Sequence, residues 1–185
     1  MKQAVLLHGT GGSDKDYFWF ADTKQYLENH GYSVWWPALP NTDSPDLESS
    51  MEFIQDAMPP LNEDSILVGH SSGCPLILSI LQRGSAHIKQ AILVGGYYAP
   101  IDGVVSGKMI EHTEYNWEKI RSSVDSIILI NSDNDPRGCD DKQARPVADK
   151  LEAQFVLAQG EGHMGSGMYH QPYREHTLVK ELLKV

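Results

Sequence analysis

Ser71 lies at the centre of Gly69-His70-Ser71-Ser72-Gly73, a Gly-x-Ser-x-Gly run set between the apolar stretches Ser65 to Val68 and Pro75 to Leu81. That setting suits a serine held on a sharp strand-to-helix turn, with Gly69 and Gly73 leaving room for the two elements to approach. A helix beginning just after the serine aims its free N–H groups at the charge that develops during acyl transfer. A serine hydroxyl is a weak nucleophile near neutral pH until an imidazole takes its proton and a carboxylate orients the imidazole. The chemistry to test for is therefore acyl transfer, and its acid and base must come from elsewhere in the chain.

In the serine-first order of such folds, the acid follows a later strand and the histidine follows the last one. Ser132-Asp133-Asn134-Asp135-Pro136 and Gln159-Gly160-Glu161-Gly162-His163-Met164-Gly165 occupy those two places. Of eight histidines, His163 follows its strand most closely, and His170 in the same loop is its competitor. His30, His87, His112 and His176 read as surface residues, and His70 as a packing or hydrogen-bonding residue of the elbow. Asp133 and Asp135 both remain candidates for the acid, since either could close the turn through its own backbone. Asp140 and Asp141 read as solvated helix-start residues. The oxyanion hole is expected from the Ser72 N–H and from the His8-Gly9-Thr10-Gly11-Gly12 loop, with Thr10 the first choice of donor and Gly11 the next. Gly9, Trp19 and Met164 are expected to line the substrate.

These side chains need a scaffold that gathers loop residues at one end of a sheet. Short apolar runs alternate with helical patterns, the order that gives a mostly parallel sheet covered on both faces. Strands are predicted over Gln3 to His8, Ser33 to Trp36, Ser65 to Gly69, Gln90 to Gly95, Ser126 to Asn131 and Gln154 to Ala158. Helices are predicted over Asp16 to His30, Asp46 to Met58, Ser72 to Arg83, Asn116 to Ser122, Pro146 to Ala153 and Pro172 to Lys184. The third helix is apolar nearly all round and should be central. Tyr97 to Tyr115 lacks periodicity and reads either as a small lid over the site or as a plain connection.

With 185 residues and no composition break, the chain reads as a single domain, 1–185. A net charge of -10 argues against nucleic acid and anionic membrane as partners. Two cysteines outside any paired spacing suggest neither a zinc site nor a disulfide framework. The short apolar run at the N-terminus is no secretory signal, so a cytoplasmic protein is expected. Gly160 to Gly165 matches the dinucleotide fingerprint literally but lacks the strand and acid that must follow. A calcium loop at Asp133 fails at Arg137 and Ala144. Neither a metal nor an organic cofactor is expected.

With Ser71, Asp135 and His163 in these positions, the whole chain resembles the retinoblastoma-binding protein 9 and YdeN-like family of small serine hydrolases. The resemblance runs through His8-Gly9, the Gly69 to Gly73 elbow, Trp117-Glu118-Lys119-Ile120, Asp135-Pro136 and Gly162-His163. It implies a three-layer α/β-hydrolase fold in minimal form, with about six mostly parallel strands, helices on both faces and no large cap domain. The family's acid precedes a proline, which favours Asp135 over Asp133. Hydrolysis of small carboxylic esters or amides through an acyl-enzyme is implied, with a protein partner left unspecified. A retinoblastoma-type partner would be expected to read Leu-x-Cys-x-Glu, and neither Cys74 nor Cys139 sits in that context. Two alternatives use the same chain: a non-catalytic binding module that keeps the fold, and an acyltransferase that keeps the three residues.

Overall fold

Six apolar runs become six strands because each is flanked by a turn and can place alternate side chains on opposite faces of a sheet. The computed structural model describes residues 1–13, 16–101, 107–111, 114–165 and 173–185. In chain order the elements are β1 (Gln3–Leu7), α1 (Phe20–Asn29), β2 (Ser33–Trp35), α2 (Leu47–Ala57), β3 (Ile66–His70), α3 (Gly73–Arg83), β4 (Gln90–Val94), α4 (Trp117–Ser122), β5 (Ile127–Asn131), α5 (Asp141–Leu151), β6 (Gln154–Leu157) and α6 (Thr177–Leu182). The sheet runs β2-β1-β3-β4-β5-β6, and every pairing in it is parallel.

Every residue of β1, β3, β4 and β5 is buried, whereas the edge strands β2 and β6 are partly exposed. Val5, Leu7, Leu67, Leu93 and Leu129 face a core completed by α2 to α5, including Ile54, Leu76, Ile120 and Val147. Ala4, Leu6, Val68, Ile92 and Ile130 face the other core, with Phe20 and Leu27 of α1 and Val179 of α6. Burying one such large aliphatic side chain contributes roughly 2 kcal/mol, so both faces must be covered for the sheet to persist. α3 is buried from Gly73 through Leu81, as its all-round apolar sequence predicts.

From β1 the chain winds outward to β2, then returns to β3 and continues outward to β6. The winding direction therefore reverses between β1 and β3, and open parallel sheets offer a ligand crevice at that reversal, outside the carboxyl ends of the strands. The His8 to Gly12 loop and the Gly69 to Gly73 elbow both fall there.

Three helices start several residues away from the sequence reading. α1 starts at Phe20 rather than Asp16, because Phe18 takes a left-handed conformation (φ 47°) that a helix cannot include. α5 starts at Asp141 because the Asp140 carboxylate caps the Lys142 N–H at 3.0 Å. Pro146, expected in the first turn, sits inside that helix, where it has no N–H to return to the Lys142 carbonyl. α6 is shorter than predicted, and Pro172 lies outside the described residues. So do parts of the Tyr97 to Tyr115 stretch, together with His112 and His170. No helix among the described residues is long and apolar enough to cross a membrane.

Candidate active site

Ser71 takes φ 53°, a left-handed conformation costly for a residue with a Cβ. Its neighbours hold it there. The Ser71 N–H donates to the Val94 carbonyl at 3.0 Å, and the Cys74 N–H donates back to the Ser71 carbonyl at 3.0 Å. A Cβ on Gly73 would stand 2.0 Å from the Leu7 carbonyl oxygen, and one on Gly69 would stand 2.8 Å from the Gly73 oxygen. Both glycines are thus required by the close approach of α3 to β1 and β3. Gly9 is required as well: its Cβ would meet the Tyr17 hydroxyl at 2.5 Å and the Ser71 Cβ at 2.7 Å.

Geometry separates Asp135 from Asp133. Asp135 Oδ2 accepts from His163 Nδ1 at 2.7 Å, with the carboxylate fully buried. Its other oxygen accepts the Arg137 N–H at 2.7 Å, an Asx turn that fixes the carboxylate's orientation. Asp133 instead accepts the Gly160 N–H at 2.8 Å, and Asn134 Oδ1 accepts the Gly162 N–H at 2.8 Å. These two residues tie the loop after β5 to the loop after β6, a role the sequence reading did not assign. Cys139 Sγ, Asp135 and His163 offer ligand atoms within 4.8 Å of one another. The carboxylate and ring nitrogen are already committed to each other, and burial pushes the Cys139 thiol well above its ordinary pKa. That chemistry fits a hydrogen-bonded acid–imidazole pair beside a neutral thiol.

His163 sits over the end of β4: a Cβ on Gly95 would be 3.6 Å from His163 Nδ1. The Ser71 N–H is bonded to Val94, the adjacent residue, so the Ser71 main chain and the imidazole flank one corner of the chain. Among the described residues the Ser71 hydroxyl has no hydrogen-bond partner, and bonds of this kind tighten in the Michaelis complex.

Thr10 and Ser72 also come together, with Oγ1 and Oγ 3.2 Å apart. The Gly11 N–H, the second choice for the oxyanion hole, donates to the Thr42 carbonyl at 2.7 Å and is not available. Among the described residues neither the Thr10 nor the Ser72 N–H has a protein acceptor. His8 braces this loop. Leu39 N–H donates to its Nε2 at 3.2 Å, so its Nδ1 carries the proton given to the Gly9 carbonyl at 2.8 Å.

Two expected substrate-lining residues have a different place. Trp19 and Met164 are 0% exposed and form no wall of a crevice. Trp19 Nε1 donates to the Met164 carbonyl at 3.0 Å, so this pair anchors the loop that carries His163. Both belong to the core beside α1. His176, read as a surface residue, is buried against Trp19 with ring centroids 5.1 Å apart.

A strained serine between the third strand and the helix that follows, in a parallel sheet whose loops bring an Asp–His pair beside it, defines the α/β-hydrolase class. The chain belongs to the serine hydrolase family, whose model matches residues 4–181. It is 25% identical to the serine hydrolase RBBP9 of Rattus norvegicus over 185 residues, covering 98% of this chain and 95% of that one. YdeN of Bacillus subtilis (strain 168) is 26% identical over 164 residues, covering 88% of this chain and 85% of its own. The crystal structure of the ydeN gene product from B. subtilis superposes with a TM-score of 0.84 at 24% identity, over 98% of this chain and 96% of that one. The fold is that of a minimal α/β-hydrolase.

Proposed function

We propose that this hydrolase cleaves small carboxylic esters or amides through an acyl-enzyme on Ser71, with His163 as base and Asp135 as its orienting acid. The observation that carries the reading is the buried 2.7 Å bond between Asp135 and His163 at the corner where Ser71 stands in its left-handed turn. Because the Nδ1–H donates a hydrogen bond to the carboxylate, Nε2 is the nitrogen left to accept the serine proton. Ser71 Oγ attacks the acyl carbon, the proton passes to Nε2, and the imidazolium is stabilised by Asp135. It then protonates the leaving group, and water repeats the sequence to release the acid. The Ser72 and Thr10 amides receive the oxyanion, each such donor being worth about 3 kcal/mol in the transition state. Nothing in this route calls for a cofactor, and two buried free thiols suit a reducing compartment such as the cytoplasm.

A fluorophosphonate probe tests the reading directly. The folded protein should be labelled at Ser71, Ser71→Ala should abolish labelling, and His163→Ala should slow it by at least about 10²-fold. Folded wild-type protein that takes no label, or takes it elsewhere, overturns the proposal.

A further inference from the structure

We propose that His70, the residue before the nucleophile, is a positioning residue that holds the main chain of His163, and that Tyr17 fixes the tautomer in which it can do so. The inference rests on His163 being the base. His70 is 0% exposed. Its Nε2 lies 2.9 Å from the His163 carbonyl oxygen and its Nδ1 lies 2.7 Å from the Tyr17 hydroxyl. A carbonyl oxygen only accepts, so Nε2 carries the proton and donates it. With Nε2 protonated and the ring fully buried, Nδ1 is left to accept from the Tyr17 hydroxyl. His70 is therefore neutral, with Nδ1 accepting, and full burial beside the His163 ring holds its pKa well below the ordinary histidine value.

The result is one chain of contacts in which the Tyr17 hydroxyl, packed closely against Gly9, bonds to His70 and His70 bonds to the His163 carbonyl. It links the His8 to Gly12 loop, the elbow and the His163 loop through buried side chains. The His163 loop needs such support. Met164 takes φ 52° between Gly162 and Gly165, and a left-handed conformation in a residue with a Cβ persists only where its surroundings over-determine it. Trp19 holds the next carbonyl, that of Met164, so His70 and Trp19 pin the two successive peptide units that follow the ring's attachment.

Asparagine and glutamine separate the two bonds of His70. The Asn amide falls near the Nδ1 position, keeping an acceptor for Tyr17 but no donor for the His163 carbonyl. The Gln amide reaches the Nε2 position and restores that donor. Ester turnover and fluorophosphonate labelling are measured for wild type, His70→Asn, His70→Gln, Tyr17→Phe and His163→Ala, with thermal unfolding of each. His70→Asn should lower kcat by roughly 10 to 100-fold with KM little changed, as misplacement of a reacting group does. His70→Gln should regain most of that loss. Tyr17→Phe should lower kcat in the same direction by a smaller factor, and it carries the test alone if the His70 variants do not fold.

Equal rates for His70→Asn and His70→Gln, a loss confined to KM, or an unchanged kcat in Tyr17→Phe would overturn the positioning role. If those outcomes appear while His163→Ala is still slow, only this inference fails. If His163→Ala labels as fast as wild type, the triad reading itself fails.

Discussion

Asp133 and Asp135 stand two positions apart on one loop and face different groups. Asp135 uses one oxygen to close an Asx turn on Arg137 and the other to hold His163, so the turn role and the proposed catalytic role coexist in a single side chain. From the chain alone either aspartate fits, because both follow the strand and both can close a turn. What separates them is the loop's path toward Gly160 and Gly162, which is a tertiary fact. Asp135→Asn is expected to place an amide where His163 needs an acceptor, favouring the wrong tautomer and lowering kcat by about 10⁴-fold. Asp133→Asn keeps the oxygen that accepts the Gly160 N–H and should change kcat by no more than a few-fold. Steady-state ester turnover by the two variants decides the matter, and similar losses in both would mean that Asp135 has no special part. Residue types and order bring Ser71 and His163 forward as candidates, and the structure places them in the loops after β3 and β6. The burial of Trp19 and His176 was not legible in the same way, since an aromatic ring beside a glycine-rich loop reads equally as core or as pocket wall.

At the scale of elements, the strands and α3 were legible because their patterns are dominated by burial, while helix starts depended on single residues. Phe18 in a left-handed conformation cuts α1 short, and no composition rule marks a phenylalanine for that role. The glycines show the same division. Gly31 ends α1 at φ 84° with its N–H on the Glu28 carbonyl, and a Cβ there would meet nothing within 4 Å. Gly31→Ala should cost only the conformational term, about 1 kcal/mol. Gly73 is different: the added Cβ would lie 2.0 Å from a backbone oxygen of β1 and 2.7 Å from its carbon, where neither partner has rotamers to yield. Gly73→Ala should therefore cost roughly 3 kcal/mol or more and displace the elbow. Urea unfolding of the two variants measures the contrast, and equal costs would mean that α3 does not depend on this approach to β1.

For the molecule as a whole, acid stability sets net charge against buried imidazoles. With a pI near 5.1, the charge of -10 at neutral pH shrinks toward zero as pH falls, which relieves self-repulsion and by itself favours the folded state. His176 acts the other way. It is packed under Trp19 and Tyr173, its Nε2 has no hydrogen-bond partner among the described residues, and burial lowers its pKa from 6.5 to about 4. Its folded pKa lies below the unfolded one, so the unfolded chain binds the proton first, and stability is lost as pH falls from about 6.5 to about 4. Between neutrality and pH 5 the loss from this one group is about 2 kcal/mol, and full burial of His70 pushes in the same direction. On that magnitude the imidazoles should win, and wild-type protein should be less stable at pH 5 than at pH 7 despite carrying almost no net charge there. His176→Phe keeps a ring in the site and removes the titration. Its stability by urea unfolding should match or exceed wild type at pH 7 and gain on wild type by about 2 kcal/mol at pH 5. Parallel pH dependences for the two proteins would show that α6 docks without excluding the protonated imidazole, and the acid response would then have to come from other groups.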